Sequence, residues 1–428
     1  MKDGKKALVP ALRFPEFREA WSSSPMSEHY SFKGNNSLSR DKLNYDNGSL
    51  RNIHYGDIHT KFALHFRVDA EPVPYINDGE SHSAIRPENY CMPGDMVFAD
   101  ASEDMEDVGK AIEIIDTGDV PLVCGLHTIL ARPSSANFAL GFGAYLFSSG
   151  AIRKQIQREA QGAKVLGLSA TRLGNVKLHY PSSTKEQQKI ADCLSSLDAL
   201  IAAQADKIDA LKTHKKGLMQ QLFPREGETV PRLRFPEFRD AGEWGENTFG
   251  GVARFINGRA YKQDELLESG RYRVLRVGNF FSNKDWYFSN LELEEDKYCD
   301  DGDLLYAWSA SFGPRIWRGG KVIYHYHIWK VEEKPGVNRD FLFVLLDYET
   351  ERMKSKSANG LGLLHITKAT IESWECALPE PEEQQKIADC LSSLDALIAA
   401  HTERLEALKS HKKGLMQQLF PSPEAVSA

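Results

Sequence analysis

Hydrophobic residues recur at steps of three, four or seven positions in two segments of the chain, residues 186–224 and 383–421. The positions skipped by the steps of seven are polar, Gln204 and Lys215 in the first segment and His401 and Lys412 in the second. The seam positions are Ile190, Leu194, Leu197, Ile201, Ile208, Leu211, Leu218 and Leu222 in the first segment, and Ile387, Leu391, Leu394, Ile398, Leu405, Leu408, Leu415 and Leu419 in the second. An a/d pattern of this length predicts a long coiled-coil helix for each segment. At about 1.5 Å per residue, each helix should be roughly 58 Å long.

The two segments are almost one sequence written twice, because only seven of their 39 positions differ. A shorter motif, LRFPEFR, is also repeated, at residues 12–18 and 233–239. The chain is therefore two copies of one unit, which predicts an internal two-fold repeat in the fold. Between the repeats, residues 19–185 and 240–382 differ in length and in most of their sequence. A shared frame with two different inserts suits a protein that reads two different things at a fixed separation.

Start and stop signals bound both predicted helices. Ser183-x-x-Glu186 fits a capping box, Pro381 fits a first helical turn, and Pro224 and Pro421 should end the helices. Each seam is the other's nearest match, which favours pairing of the two helices within the chain. Pairing of each helix with a second subunit is the alternative.

The two inserts share landmarks beneath their different sequences. The run RNIHYGDI at residues 51–58 lines up with RVLRVGNF at 273–280, and GDMVFAD at 94–100 lines up with GDLLYAW at 302–308. Strand-like runs such as residues 321–329 are rich in β-branched and aromatic residues, and helical patterns occur at 151–160 and 348–355. The inserts are therefore predicted to be α+β domains, mostly strand with one or two helices.

Composition describes an ordinary non-membrane chain of 428 residues, long enough for two sizeable domains. No apolar run approaches the roughly 18 residues of a membrane span, and the basic N-terminus lacks a signal-peptide core. The six cysteines form no Cys-x-x-Cys pair, which is typical of buried thiols in a reducing cytoplasm. The net charge of −7 does not favour nucleic-acid binding, but local basic patches decide that question.

The order of a globular domain, a long helix ending in KKGLMQQLFP, a second domain and a second such helix resembles the specificity subunit of type I restriction–modification systems. The motif EQQKIADCL…LDALI…KKGLMQQLFP in both copies, with FPEFR opening each half, carries the resemblance from about residue 12 to 421. It implies an α+β fold with two target-recognition domains, at 1–180 and 233–379. It also implies a central helix and linker at 181–232, a distal helix at 380–421 and a tail at 422–428. In that family the two helices form an antiparallel intramolecular coiled coil that acts as a ruler.

The resemblance also implies a function in bacterial defence. Each domain would read one half of a bipartite, asymmetric double-stranded DNA target, and the chain would position two modification (methylase) subunits and the restriction subunits. S-adenosylmethionine, ATP and Mg would then be cofactors of those partners, with none in this chain. The alternative is a coiled-coil scaffold whose two globular domains bind proteins.

The motifs of the relevant enzymes are missing from the sequence. It has neither the paired motifs of an adenine methyltransferase nor a phosphate-binding loop, and Glu332-Glu-Lys334 is expected to be a solvated turn rather than a nuclease motif. The histidines at 54, 59, 65, 325 and 327 lack a coherent ligand spacing, so no metal site is predicted; contact with phosphate is one reading of them. The chain is therefore predicted to be non-catalytic.

Basic clusters predict where DNA would bind. Residues 151–180, 254–276 and 313–330 are rich in Arg and Lys, which neutralise phosphates. Base readout requires polar-tipped side chains on loops. The candidates are Asn257, Arg259, Tyr261, Lys262, Ser309, Ser311, Phe312 and Arg315 in the second domain, and Ser102, Asp104, His127 and Lys164 in the first.

Overall fold

The computed structural model describes residues 9–79, 85–281, 284–309, 312–357 and 366–421. The chain forms two compact units. Unit 1 comprises the residues up to Gln204 together with those from Arg404 onward, and unit 2 comprises Ala205–Glu403. Among the helices within these ranges, none has the length and apolar content that crossing a membrane requires.

Unit 1 is rich in short strands. They are β1 (Ser22–Pro25), β2 (Tyr30–Lys33), β3 (Leu43–Asn44), β4 (Arg51–Ile53), β5 (His65–Arg67), β6 (Tyr75–Ile76), β7 (Met96–Ala99), β8 (Ala101–Ser102), β9 (Ala111–Asp116), β10 (Leu122–Cys124), β11 (Thr128–Pro133), β12 (Leu166–Gly167) and β13 (Lys177–Tyr180). The helices are α1 (Tyr55–Thr60), α2 (Phe142–Ser148), α3 (Gly150–Glu159), α4 (Ala170–Gly174) and α5 (Thr184–Leu222), which enters unit 2 after Gln204.

Two sheets organise unit 1, with strand orders β2-β11-β7-β9-β5 and β10-β4-β6-β3. The strand β7, predicted from the GDMVFAD landmark, is buried on both faces. Met96 and Phe98 point into the core beneath α2 and α3, whereas Val97 and Ala99 point into a second core between the sheets. This alternation follows from the two-residue period of a strand.

Unit 2 repeats this plan with different lengths. Its strands are β14 (Gly245–Thr248), β15 (Ala253–Asn257), β16 (Tyr272–Leu275), β17 (Tyr287–Ser289), β18 (Tyr298–Cys299), β19 (Leu304–Ala307), β20 (Gly313–Ile316), β21 (Val322–Tyr324), β22 (Ile328–Glu333) and β23 (Glu375–Leu378). The helices are α6 (Phe249–Val252), α7 (Val277–Phe281), α8 (Arg339–Ser357), α9 (Lys368–Glu372) and α10 (Pro381–Leu419), which enters unit 1 after Glu403.

The sheets of unit 2 have the orders β15-β22-β19-β20 and β17-β16-β21-β18. The strand β19 matches β7, because Leu304 and Tyr306 enter one core while Leu305 and Ala307 enter another. The predicted pairing of landmarks is confirmed: β4–α1 and β16–α7 are equivalent, as are β7 and β19. The prediction of one strand over residues 321–329 is wrong, since the run divides into β21 and β22, which lie in different sheets.

The predicted long helices are confirmed as α5 and α10, and each ends two residues before the expected proline. The Glu186 side chain was predicted to complete a capping box, but the structure gives it other partners. Its carboxylate binds the guanidinium of Arg13 at 2.7 and 2.8 Å and accepts a bond from the Trp21 indole at 3.2 Å. The equivalent Arg234 binds Glu383 at 2.8 and 2.7 Å. The repeated LRFPEFR motif and the repeated helix start are therefore one structural element.

The same geometry recurs where the helices meet within each unit. In unit 1, Leu419 from the end of α10 packs with Ile190 and Leu194 from the start of α5, and Lys412 binds Asp198. In unit 2, Leu222 and Phe223 at the end of α5 pack with Ile387 and Leu391 of α10, and Lys215 binds Asp395 at 2.6 Å. In each unit, the end of one long helix therefore lies beside the start of the other.

Candidate nucleic-acid interface

Three strands of unit 1 end at one edge. The strands β4 and β10 are parallel neighbours with Ile53 opposite Cys124, so their carboxyl ends lie together. The end of β7 joins them, because the Asp100 amide donates to the His127 carbonyl at 3.0 Å. His127 is exposed in the turn between β10 and β11.

Polar and aromatic side chains gather at this edge. His127 Nδ1 lies 3.1 Å from Asp100 Oδ1, and its ring packs edge-on against Tyr55 with centroids 5.2 Å apart. Beside them Arg40, whose side chain is 42% exposed, binds both oxygens of Asp57 at 2.7 and 2.9 Å. Burial opposes ionisation of Asp57, but the bonds from Arg40 and Lys61 outweigh it and lower the pKa of that carboxyl. The edge thus presents the paired Arg40, the half-buried Tyr55 and the exposed imidazole of His127.

Unit 2 has the same edge with different side chains. The strands β16 and β21 are parallel, with Leu275 opposite Tyr324, and the Trp308 amide donates to the His327 carbonyl at 3.1 Å. The turn of residues 325–327 carries Tyr326, which is 38% exposed. The Trp308 indole donates to the Tyr326 carbonyl at 2.7 Å.

Cations and rings surround this second edge. Burial, then His327 and Arg276, lower the pKa of His325 to about 4, so its imidazole is neutral at physiological pH. The Arg276 guanidinium stacks on the Tyr287 ring at 4.2 Å. An aromatic surface of this kind, with an arginine beside it, can meet the faces or the edges of bases.

The structure brings several predicted residues of unit 2 to this edge. The Arg259 amide and carbonyl bond to the carbonyl of Tyr324 and the amide of Tyr326, each at 3.0 Å, and Tyr261 stacks on His325 with centroids 6.3 Å apart. The Arg259 guanidinium is held by Glu265 at 2.7 and 2.9 Å, so both of its terminal nitrogens already have a partner within the protein. Lys262 is exposed nearby.

The other predicted residues of unit 2 are dispersed. Asn257 is exposed at the end of β15, where its side-chain oxygen accepts from the Trp329 indole, and Ser309 is half-buried after β19. Arg315 is exposed on β20 over Phe281 at 5.1 Å. The prediction that Phe312 is a surface loop residue is wrong, because its side chain is 9% exposed and packs in the core. Ser311 lies outside the described residues.

In unit 1, the predicted residues form two neighbouring groups. Ser102 pairs with Leu166 in the ribbon β8–β12, the Asp104 amide donates to Ser102 Oγ at 3.0 Å, and Lys164 is exposed before β12. His127 lies at the strand-end edge instead. The ribbon and the edge are linked, because the Leu168 amide donates to the Asp100 carbonyl at 2.8 Å.

Sequence reasoning missed Arg40, Tyr55, Trp308 and Tyr326 at the two edges, and it included Arg276 only as a phosphate contact of the basic segment 254–276. The signal was available in the aligned landmarks, since Tyr55 and Arg276 lie inside the matched RNIHYGDI and RVLRVGNF runs, just after paired strands. Some side chains of the three basic segments bond to other groups of the protein and are therefore not available to phosphates. Arg153 donates to the Val108 carbonyl at 2.8 Å, and burial lowers its pKa.

Metal-ligating side chains are not clustered within the described ranges, where no group of three or more His, Cys, Asp or Glu has the geometry to hold an ion.

Comparison with known proteins places the chain in a family. The sequence model described as "Type I restriction modification DNA specificity domain" matches residues 73–213 and 241–410, and the chain belongs to this family. It is 31% identical over 210 residues to the type I restriction enzyme MjaVIII specificity subunit of Methanocaldococcus jannaschii, an alignment that spans 47% of each protein. It is 25% identical over 366 residues to the putative MjaX specificity subunit of that organism, covering 83% of each.

Two solved structures share the fold. A type I restriction–modification S subunit from M. genitalium matches with a TM-score of 0.54 at 15% identity, over 97% of this chain and 100% of that one. A chain from a study of complex assembly and conformational transition of the type I R-M system matches with a TM-score of 0.59 at 16% identity, over 94% and 97%. These likenesses concern the fold alone.

Proposed function

We propose that this chain is the DNA sequence-specificity subunit of a type I restriction–modification complex. Its two target-recognition domains, residues 1–180 and 233–379, each read one half of a bipartite, asymmetric duplex target. The observation that carries the proposal is the pair of equivalent strand-end edges, built on one topology but lined by different side chains. Two readers of the same design with different surfaces suit two different half-sites.

The two long helices act as the ruler between the readers. The central helix, within 181–232, and the distal helix, within 380–421, form an antiparallel coiled coil within the chain, supported by the reciprocal pairs Lys215–Asp395 and Lys412–Asp198. Polar pairs at a coiled-coil seam fix register and orientation. A helix pair of roughly 58 Å is rigid enough to hold two modules about one turn of DNA apart, about 34–36 Å.

The chain itself performs no catalysis in this proposal. It works in the cytoplasm with two modification subunits, which use S-adenosylmethionine, and with restriction subunits, which use ATP and Mg. The missing methyltransferase and phosphate-loop motifs support this division of labour.

A methylome tests the proposal. The full chain is co-expressed with the modification subunit that co-purifies with it, in a methylation-free host, and modified adenines are mapped by single-molecule sequencing. The expected result is one split motif with a fixed gap. Absence of new methylation from a soluble complex would contradict the proposal and favour the protein-binding scaffold.

Duplex binding by the same complex gives a second measurement. Each phosphate contact contributes about −0.9 to the slope of log K against log salt, so a reader with several contacts should show a slope of several units. A slope near zero would indicate that the edges do not face DNA.

A further inference from the structure

The turns after β10 and β21 occupy the same place in the two units. Each is three residues long, at 125–127 and 325–327, and each ends in a histidine directly before the next strand. The carbonyl of that histidine accepts a backbone bond from the residue after the central buried strand, Asp100 for His127 and Trp308 for His327. His127 and His327 are therefore equivalent residues of the repeat.

His127 is held in a backbone conformation that side chains disfavour. Its φ is +57°, and within the described ranges it is the only residue other than glycine with a positive φ. The left-handed region crowds the Cβ atom against the following carbonyl, so a histidine stays there only if its surroundings hold it. Asp100 and Tyr55 supply that support through contacts to the ring.

The imidazole that these contacts hold is nevertheless accessible. The His127 side chain is 48% exposed, and Asp100 occupies Nδ1, which leaves Nε2 as the nitrogen that can meet a ligand. A strained, oriented and exposed polar group at the edge where three strands end is a pattern typical of a binding residue.

We propose that His127 and His327 are specificity-determining residues, each contacting a base edge in its own half-site. This inference rests on the proposed function and names the residues that would carry it. The two half-sites differ because different side chains support the two histidines, Asp100 for His127 and Trp308 for His327.

The side chain that supports each histidine determines how that histidine can contact a base. An ionised carboxylate only accepts hydrogen bonds, so Asp100 keeps a proton on Nδ1, and in the tautomer that this bond selects Nε2 is an acceptor. In the major groove, the donors are the exocyclic amino groups of adenine and cytosine, and His127 accepts from one of these. The His327 ring packs edge-on against the Trp308 indole, with centroids 4.9 Å apart, so its contact with a base is made beside an aromatic side chain rather than a carboxylate.

The test uses the full chain with its co-purifying modification subunit, comparing the wild type with H127G and H327A. Glycine is the residue best suited to a positive φ, so H127G keeps the turn and removes only the imidazole. H127G should make one position of one half-site degenerate, and H327A one position of the other half-site. Each variant is the matched control for the other, because the unaffected half-site must stay intact.

A base analogue then tests the contact itself. At the position relaxed in H127G, the base that bears the amino group is replaced by an analogue lacking it, in a duplex oligonucleotide. Wild-type binding should weaken about two- to thirteen-fold, because one hydrogen bond is lost, whereas H127G should bind both duplexes equally.

The outcomes separate the two proposals. A wild-type motif that both variants leave unchanged overturns the inference alone, as does an equal analogue penalty in wild type and H127G. A wild-type complex that produces no motif overturns the proposed function, and the inference with it.

Discussion

Removal of the Arg234 guanidinium should destabilise unit 2 by about 3–5 kcal/mol, because it would leave a buried carboxylate without its partner. Arg234 binds both oxygens of Glu383, and the two side chains are only 7% and 2% exposed. The same guanidinium also donates to the carbonyls of Ala241 and Gly242 at 2.7 and 3.0 Å. The substitution R234M keeps most of the side-chain volume and removes the guanidinium, so the loss reports its polar contacts rather than a cavity.

The chain supplies a matched control in the next ion pair of the same repeat. Lys386 lies 3.1 Å from Glu237, but these side chains are 50% and 45% exposed, so K386M should cost no more than about 1 kcal/mol. Urea unfolding followed by circular dichroism measures both variants. The double variant R234M/E383L should recover most of the loss, since it removes the stranded charge. An R234M cost no larger than that of K386M would refute the reasoning from burial.

Three further outcomes follow from particular contacts. Burial raises the pKa of Glu113 to about 7, so between pH 4.5 and 7 the folded state binds more protons than the unfolded state. Stability should therefore fall as pH rises through that window. The variant E113Q, which does not titrate, should show a melting temperature that varies less with pH over the same range. The Leu12 amide donates to the Gln418 carbonyl at 3.0 Å, just as the Leu233 amide donates to the Gln221 carbonyl at 2.9 Å, so both copies of the repeat join a long helix to the LRFPEFR motif in the same way. A circular permutant with joined termini and new ends within residues 225–231 should therefore yield the same methylation motif as the wild type. A lost or altered motif would contradict this. Insertion of seven residues at matched sites in both long helices should widen the gap between half-sites by about 10 Å, or about three base pairs, whereas an unchanged gap would argue against the ruler.

The repeated elements were predictable because their signals are local and periodic. The seam predicts which face of each long helix is the less exposed one, and the prolines at 224 and 421 predict where the helices end. The partner of Glu186 was not predictable, since a capping box and a long-range ion pair require the same residue type. Only the fold brings Arg13 to that carboxylate, from 173 positions earlier in the chain.

The edges of the two units were harder to predict because strand pairing decides them. Residues 321–329 have the composition of one strand, yet the chain turns at His325, whose amide donates to the Leu275 carbonyl at 2.9 Å. This turn creates the aromatic surface and places Arg259 beside it. Phe312 follows a strand as a surface loop residue would, but the core cluster that receives it is assembled from distant segments.

The reciprocal ion pairs of the long helices explain why both copies carry the same lysine and the same aspartate. Lys215 in the first copy binds Asp395 in the second, while Lys412 in the second binds Asp198 in the first. Each copy therefore supplies the lysine of one pair and the aspartate of the other, so both copies must retain both residues. Residues of the inserts that contact only their own unit are under no such reciprocal constraint.

This reciprocity gives the last prediction. Exchanging the charges across one pair, in K215D/D395K, should leave stability within about 1 kcal/mol of the wild type, because attraction between opposite charges is kept. Exchanging them within one copy, in K215D/D198K, sets like charges against each other in both units and removes the carboxylate that accepts from Tyr145 at 2.8 Å. The second variant carries the same number of substitutions and the same net charge, so it should unfold at clearly lower urea concentration. Equal unfolding midpoints for the two variants would show that these pairs do not hold the helices in register.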